Sequence, residues 1–280
     1  MPPLRRHPDA VIAAHRMDPA RRELYVEGRK DRLFLSWLLG DDIASSSSVR
    51  EIAWVDLPET KAGGERGRLL HFGQLLSRHD VAIRCLADAD CDRVLGREVP
   101  ASVWLTDHRD LEGYVLRVEC IDKALRLGVS TTKVTAQDLL RGVVAHGRRL
   151  GLLRLLSELD SLSLPFKSTR LRGHVSFERG CLDVDYQGYA QALLQNSGIS
   201  LSKLDATLRR LDEVETTFAS TLDGELVHGK DAMCLADVVF CACGLNPKEG
   251  PRLLWTSFEP RFVEDGSTLD SACGFLRGAQ

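Results

Sequence analysis

Four carboxylates stand where chemistry is usually done. Glu27 follows the apolar triplet Leu24-Tyr25-Val26, and Asp31 comes four residues later. Asp88 and Asp90 follow Cys85-Leu86-Ala87, with Asp92 just beyond. If the apolar runs are strands, these acids lie at or just past their carboxyl ends, where open α/β sheets bind ligands. Like charges so close raise each other's pKa, and a divalent cation relieves the repulsion. Hard carboxylate oxygens suit Mg²⁺ or Mn²⁺. Such ions hold phosphate oxygens, activate water and stabilise a leaving oxygen. The competing reading is that acids after strands cap the helices that follow.

The elements that must position these acids follow from the spacing of apolar residues. Strands are predicted at 24–26, 52–55, 81–86 and 103–105, and helices at 31–39, near 69–76 and near 111–118. A polar loop, Lys61-Ala62-Gly63-Gly64, precedes the second helix, and the serine run 45–48 reads as a loop. Strands alternating with helices imply βα units and a mostly parallel sheet. Further on, helical spacing covers 136–159, 185–194, 202–218 and 230–240. Leu164-Pro165-Phe166 interrupts that region, and the stretch after Gly244 is rich in Pro and Gly with weak periodicity. The expected organisation is an N-terminal extension (1–20), an α/β core (21–130) and a mainly helical region (131–280).

Composition bounds the function. The 280 residues carry 37 Lys plus Arg against 40 Asp plus Glu, a net charge of −3. That excludes a histone-like binder that works by bulk positive charge. With 44% apolar and 28% charged residues the chain is no disordered polyelectrolyte. There is no apolar run of about 18 residues, so no membrane span is expected. The start, Met1-Pro2-Pro3-Leu4-Arg5-Arg6-His7, lacks the apolar segment of a secretory leader. None of the eight cysteines forms a CxxC pair. They read either as small buried hydrophobes or as a zinc or redox site, and a reducing, cytoplasmic compartment fits best.

Local charge is uneven. Residues 131–175 hold eight Lys or Arg against three acids, whereas 176–280 hold nine against sixteen. Arg148, Arg149, Arg170 and Arg172 could line a nucleic-acid path, or the stretch could be the solvated face of a long helix. Gly224 to Lys230 matches the first seven positions of a P-loop. Asp231 then stands where a Mg²⁺-binding Ser or Thr belongs, and no strand is predicted before it, which argues against ATP binding.

Glu-Gly after the first strand and Asp-x-Asp after a later one resemble the TOPRIM domain of topoisomerases, primases and OLD-family nucleases. Val26-Glu27-Gly28-Arg29-Lys30-Asp31, the Gly63-Gly64 loop and Thr106-Asp107-His108-Arg109-Asp110-Leu111-Glu112-Gly113-Tyr114 resemble the OLD-like version over residues 20–120. A weaker echo lies at His228-Gly229-Lys230-Asp231. The resemblance implies a metal-dependent nuclease acting on DNA or RNA, tRNA included, with two ions. Glu27 and Asp31 would hold one ion and activate water, Asp88 and Asp90 would hold the other, Glu112 would complete the shell, and Lys230 would steady the transition state. Layout and size resemble the stand-alone TOPRIM effectors of PARIS-type anti-phage systems, which implies a separate ABC-type ATPase partner. Dimerisation through the helical half is a further expectation. Two alternatives stay open. One is a non-catalytic module of the same fold that binds a partner. The other is a different Mg²⁺-dependent phosphotransfer or phosphatase domain using Asp88 and Asp90, which would leave Glu27-Gly28 without a role.

Overall fold

The computed structural model describes residues 5–57, 64–129 and 134–278. Residues 61–63 of the expected loop, and Lys133 of the basic stretch, lie outside them. The chain divides into two compact units, one of residues 1–110 with 259–280, the other of residues 111–258.

The first unit opens with α1 (Pro8–Met17), which has Pro at its first position and His7 as N-cap. Then come β1 (Arg22–Val26), α2 (Arg29–Leu39), β2 (Ser47–Glu51), α3 (Gly64–Leu76), β3 (Ile83–Ala87) and β4 (Val103–Leu105). The four strands form one parallel sheet in the order β2-β1-β3-β4. Expectation and structure therefore agree on an α/β fold with a parallel sheet and flanking helices.

The second strand is a correction. Residues 52–55 are not a strand: Ile52–Trp54 is a 3-10 turn, and Val55 makes a single bridge to Arg6. The strand is β2, which begins inside the serine run. It lies at the sheet edge with only Val49 buried, so it needs no apolar run to hold its place.

Alternation across the sheet separates two faces. Tyr25 and Val103 face α3, where Tyr25 meets Phe72 edge-on with ring centroids 4.9 Å apart. Trp104 points the other way, edge-on to Phe275 at 5.7 Å. Phe275 belongs to the last helix, Thr268–Arg277, which returns to cover this face. Asp107 caps that helix, its two carboxylate oxygens accepting the Thr268 N–H at 2.9 and 3.0 Å. Gly73 brings α3 hard against β4. A Cβ there would lie 2.3 Å from Cγ2 of Val103. Gly73→Ala is expected to lower stability by about 1–3 kcal/mol through overpacking, measured as a reduced urea midpoint with unchanged slope.

The second unit is mainly helical: α4 (Val118–Gly128), α5 (Ala136–Leu159), the hairpin β5 (Val175–Glu178) and β6 (Cys181–Val184), α6 (Tyr186–Asn196), α7 (Leu204–Thr217), α8 (Asp223–Leu226), α9 (Gly229–Ala242) and α10 (Glu249–Ser257). The returning helix of the first unit is α11. Within the second unit α5 is the spine. Its Leu152, Leu153, Leu155 and Leu156 are all buried, so it is covered on more than one face. The helix expected near 111–118 is a 3-10 turn over Leu111–Val115, and α4 begins only at Val118; α4, the hairpin and α10 go beyond the elements predicted from apolar spacing. No helix among the described residues is long and apolar enough to cross a membrane. Cys85, Cys91, Cys120 and Cys273 are buried, while Cys181 is exposed.

Candidate active site at the strand ends

From β1 the chain crosses to β2 on one side, and from β2 it crosses back to β3 on the other. The sheet order therefore reverses between β1 and β3, and the crevice beyond their carboxyl ends is where such sheets bind ligands. Glu27 and Asp88 follow directly after these two strands. The Glu27 carboxylate accepts the backbone N–H of Asp88 at 3.2 Å and so spans the crevice.

The Asp88–Asp90 turn is held from below by the segment after β4. Thr106 Oγ1 accepts the Ala89 N–H at 3.0 Å and donates to the carbonyl of His108 at 2.7 Å. The Asp90 N–H donates to the Arg109 carbonyl at 2.8 Å. Asp90 has φ +47°, in the left-handed region that Asp tolerates better than most residues. Those bonds hold the conformation, and the Asp90 carboxylate stays about half exposed.

Charge at the crevice is uneven. Burial pushes the Glu27 carboxyl up to about 7; Asp90 and Asp31 add to this, while the Asp88 N–H and Arg66 pull the other way. Arg66, in the first turn of α3, is the cation of the site. Its Nε donates to the Asp88 carbonyl at 3.2 Å and lies 3.1 Å from Asp90 Oδ2, and its terminal nitrogen pairs with Asp92. Sequence reasoning missed Arg66. The only signal available was a basic residue opening the helix behind the Gly-rich loop.

The other candidates fall as follows. Asp31 closes a capping box on α2, its Oδ2 accepting the Gly28 N–H at 2.8 Å. Asp92 is buried and paired with Arg66 and Arg97. His108 is half-buried, and Asp110 is buried. Glu112 and Lys230 belong to the second unit, Glu112 half-buried on the 3-10 turn Leu111–Val115 and Lys230 exposed in the first turn of α9. The P-loop-like segment runs through α8 into α9, and Asp231 is clamped by Arg154 at 2.6 and 2.7 Å.

Three of the four candidate nucleic-acid arginines are ion-paired within the second unit. Arg148 donates to the carbonyls of Phe218, Ala219 and Thr221 and pairs with Asp223. Arg149 pairs with Asp212 and Glu215 and lies over the ring of Tyr186. Arg172 pairs with Asp237. Arg170 is exposed.

Glu27 and Asp90, with Asp31 and Asp88 beside them, offer hard oxygens; burial chiefly raises the Glu27 carboxyl, and the smaller contribution of Asp90 and Asp31 is charge that a cation would relieve. The donor chemistry therefore fits Mg²⁺ or Mn²⁺. Among the described residues no three Asp, Glu, His or Cys side chains converge as a ready-made metal site, and Arg66 supplies the positive charge. No protein-family model matches this chain, nor does any curated protein sequence.

Proposed function

We propose that the first unit carries a TOPRIM-type, divalent-metal-dependent phosphodiesterase site that cleaves DNA or RNA. The observation that carries this reading is the Glu27 carboxylate at the β1–β3 crevice, joined to the Asp88 N–H and raised to about 7. A carboxylate with that pKa is suited to take a proton from an attacking water near neutral pH. Glu27 and Asp90 would hold the ion, with Asp31 and Asp88 alongside. When bound, the ion supplies Lewis-acid polarisation of the phosphodiester. Arg66 supplies a fixed guanidinium beside the reacting centre, where charge on a phosphoryl group would be stabilised. The TOPRIM resemblance also names Glu112 and Lys230, which belong to the second unit, and the proposed site rests on residues of the first unit alone. The resemblance extends the reading to a cytoplasmic toxic effector of anti-phage defence, restrained by a separate ABC-type ATPase.

The test is hydrolysis of single- and double-stranded DNA and of RNA in Mg²⁺ or Mn²⁺. Full-length protein should cleave at least one of them and stop on chelation. Asp90→Asn should need several-fold more metal for half-maximal rate. Mg²⁺ at 100 times its Kd should raise wild-type stability by about 2.7 kcal/mol, seen as a higher Tm that Asp90→Asn reaches only at more metal.

A second reading has its own support. The site's positive charge is already supplied by Arg66, which suits a non-catalytic module that keeps the fold and binds a partner. No heat of Mg²⁺ or Mn²⁺ binding by calorimetry, together with no cleavage, would favour it.

A further inference from the structure

Seven large apolar side chains are exposed among the described residues, and α2 alone carries two of them. Leu33 and Trp37 lie one turn apart, 47% and 50% exposed, while Phe34, Leu35, Leu38 and Leu39 of the same helix are buried. Trp37 is steadied by Phe34, their ring centroids 6.3 Å apart. Single apolar residues at a surface are ordinary, but a stacked pair that includes a Trp is the kind of anchor protein interfaces use. Exposed Lys30 precedes the pair by three residues, and exposed Asp41 follows it by four. At helical spacing all four share one face. Asp41 sits in the 3-10 turn Gly40–Asp42 that continues α2.

Two observations select what covers this stripe. Its order is basic, apolar, apolar, acidic, and both the charged pair and the apolar pair centre near Leu35. Turned end for end, the stripe meets its own complement, Lys30 opposite Asp41 and Leu33 opposite Trp37. That is the pattern an isologous two-fold contact requires. The second observation is where the charges stand. Arg29 and Lys30 put cations at the N-terminal end of α2, and Asp41 and Asp42 put anions past its C-terminal end, the reverse of what the helix dipole favours. Among the described residues Lys30 and Asp41 have no ion-pair partner, Asp42 lies 3.8 Å from Arg277, and on the flank Arg32 is paired with Glu51. An antiparallel copy of α2 brings opposite charge to both ends at once. Nucleic acid would suit the basic end alone, and an acidic or a basic protein would suit one end and oppose the other.

We infer that the exposed face of α2 is a dimerisation surface: two copies of the chain pair antiparallel through Leu33 and Trp37, with Lys30 of each protomer against Asp41 of its partner. This places the contact on the first unit and not on the helical half expected from the sequence. The apolar pair supplies the affinity, and the rim charges fix the antiparallel register. An 11-residue helix is only about 16 Å long. That is a small contact, so the dimer exchanges with monomer, with a Kd on the order of 10–100 µM.

Sedimentation velocity of the full-length protein tests the pairing. Wild type should pass from monomer to dimer across about 1–300 µM, and Leu33→Asp should stay monomeric throughout. Lys30→Asp and Asp41→Lys each set like charges face to face and should each weaken the dimer at least about tenfold. Mixed in equal amounts, the two variants should associate again, because both contacts of the mixed pair join opposite charges. Each of these two substitutions places a charge that the helix dipole favours, so dilute samples should melt no lower than wild type and loss of association is not loss of fold. The inference is overturned if wild type stays monomeric over that range, if Leu33→Asp dimerises like wild type, or if mixing restores nothing. A monomeric wild type whose Lys30→Asp variant loses affinity for a labelled DNA or RNA 12-mer would give the basic end to nucleic acid and equally overturn the pairing.

Discussion

Glu27→Gln is expected to abolish hydrolysis and, at the same time, to stabilise the fold. A general base typically contributes about 10²–10⁴-fold to rate, and loss of that order is expected in kcat with little change in substrate affinity. In metal-free protein the Glu27 carboxyl ionises near 7, and a bound cation lowers that value, so the wild-type rate should rise with pH over a range below 7 that moves down as metal concentration increases. In Glu27→Gln the residual rate should lack that inflection.

The stability effect follows from the same pKa. The carboxyl is raised from 4.5 to about 7, chiefly by burial. Between those values the native state holds the proton more tightly than the unfolded chain, so stability falls as pH rises through that window. Above it the folded protein bears the full penalty of an ionised, part-buried glutamate, at most about 3 kcal/mol. A glutamine keeps an oxygen that can accept the Asp88 N–H and has no charge to desolvate. The variant should therefore be more stable than wild type at pH 8 by about 1–3 kcal/mol, with a Tm several degrees higher. At pH 5 the gap should shrink. Thermal melts at the two pH values, beside the hydrolysis assay, check both halves. A merely structural Glu27 would give the reverse, a Tm that falls at pH 8.

What the sequence reveals follows from the range of each interaction. Glu27, Asp88 and Asp90 are legible because each follows an apolar run, and strand ends are a local property. The central strands β1 and β3 are legible for the same reason. Edge strand β2 is not, since residues 47–51 bury only Val49 and carry two serines. Helix α11 also escapes, because what holds it is distant: Asp107 caps it across 161 residues, and Trp104 meets Phe275. Non-local pairing likewise changes the basic stretch. Arg148 and Arg149 look free along the chain, yet their acids lie on α7 and α8, more than 60 residues later. Asp92 shows the same limit at the site itself. Read alone it is a helix-capping residue, whereas in the fold it is buried and pairs with Arg66, 26 residues before it, and with Arg97.

Glu23→Ala is expected to be the most destabilising single change in the first unit, at about 3–5 kcal/mol, because it leaves several buried or half-buried cations without their counter-charge. Glu23 is completely buried at the start of β1. Its carboxylate accepts from Arg6 at 2.9 and 3.1 Å, Arg21 at 2.6 Å, Arg50 at 2.7 Å and the Tyr25 hydroxyl at 2.7 Å, with His15 Nε2 at 3.5 Å. One side chain thus ties α1, the segment before it and β2 to the central strand. These partners overcome the cost of burial and hold the Glu23 carboxyl far below the usual carboxylate range. A lowered folded pKa gives stability that is fully present above the unfolded value of about 4.5 and is lost as pH falls below it. In urea titrations the gap between wild type and Glu23→Gln should be widest at pH 7 and narrow toward pH 3. Glu23 lies on β1 and Glu27 just past its end, four residues later, yet their pKa values move in opposite directions. The first is surrounded by donors that favour its charge, and the second is buried beside acids that oppose it. Neutralising the first should therefore destabilise the protein at pH 8, and neutralising the second should stabilise it. Stability given up in this way at a strand end is the mark of a site kept for binding or chemistry. If both glutamine variants lost stability alike at pH 8, Glu27 would be one more structural carboxylate, and the candidate site would lose its central residue.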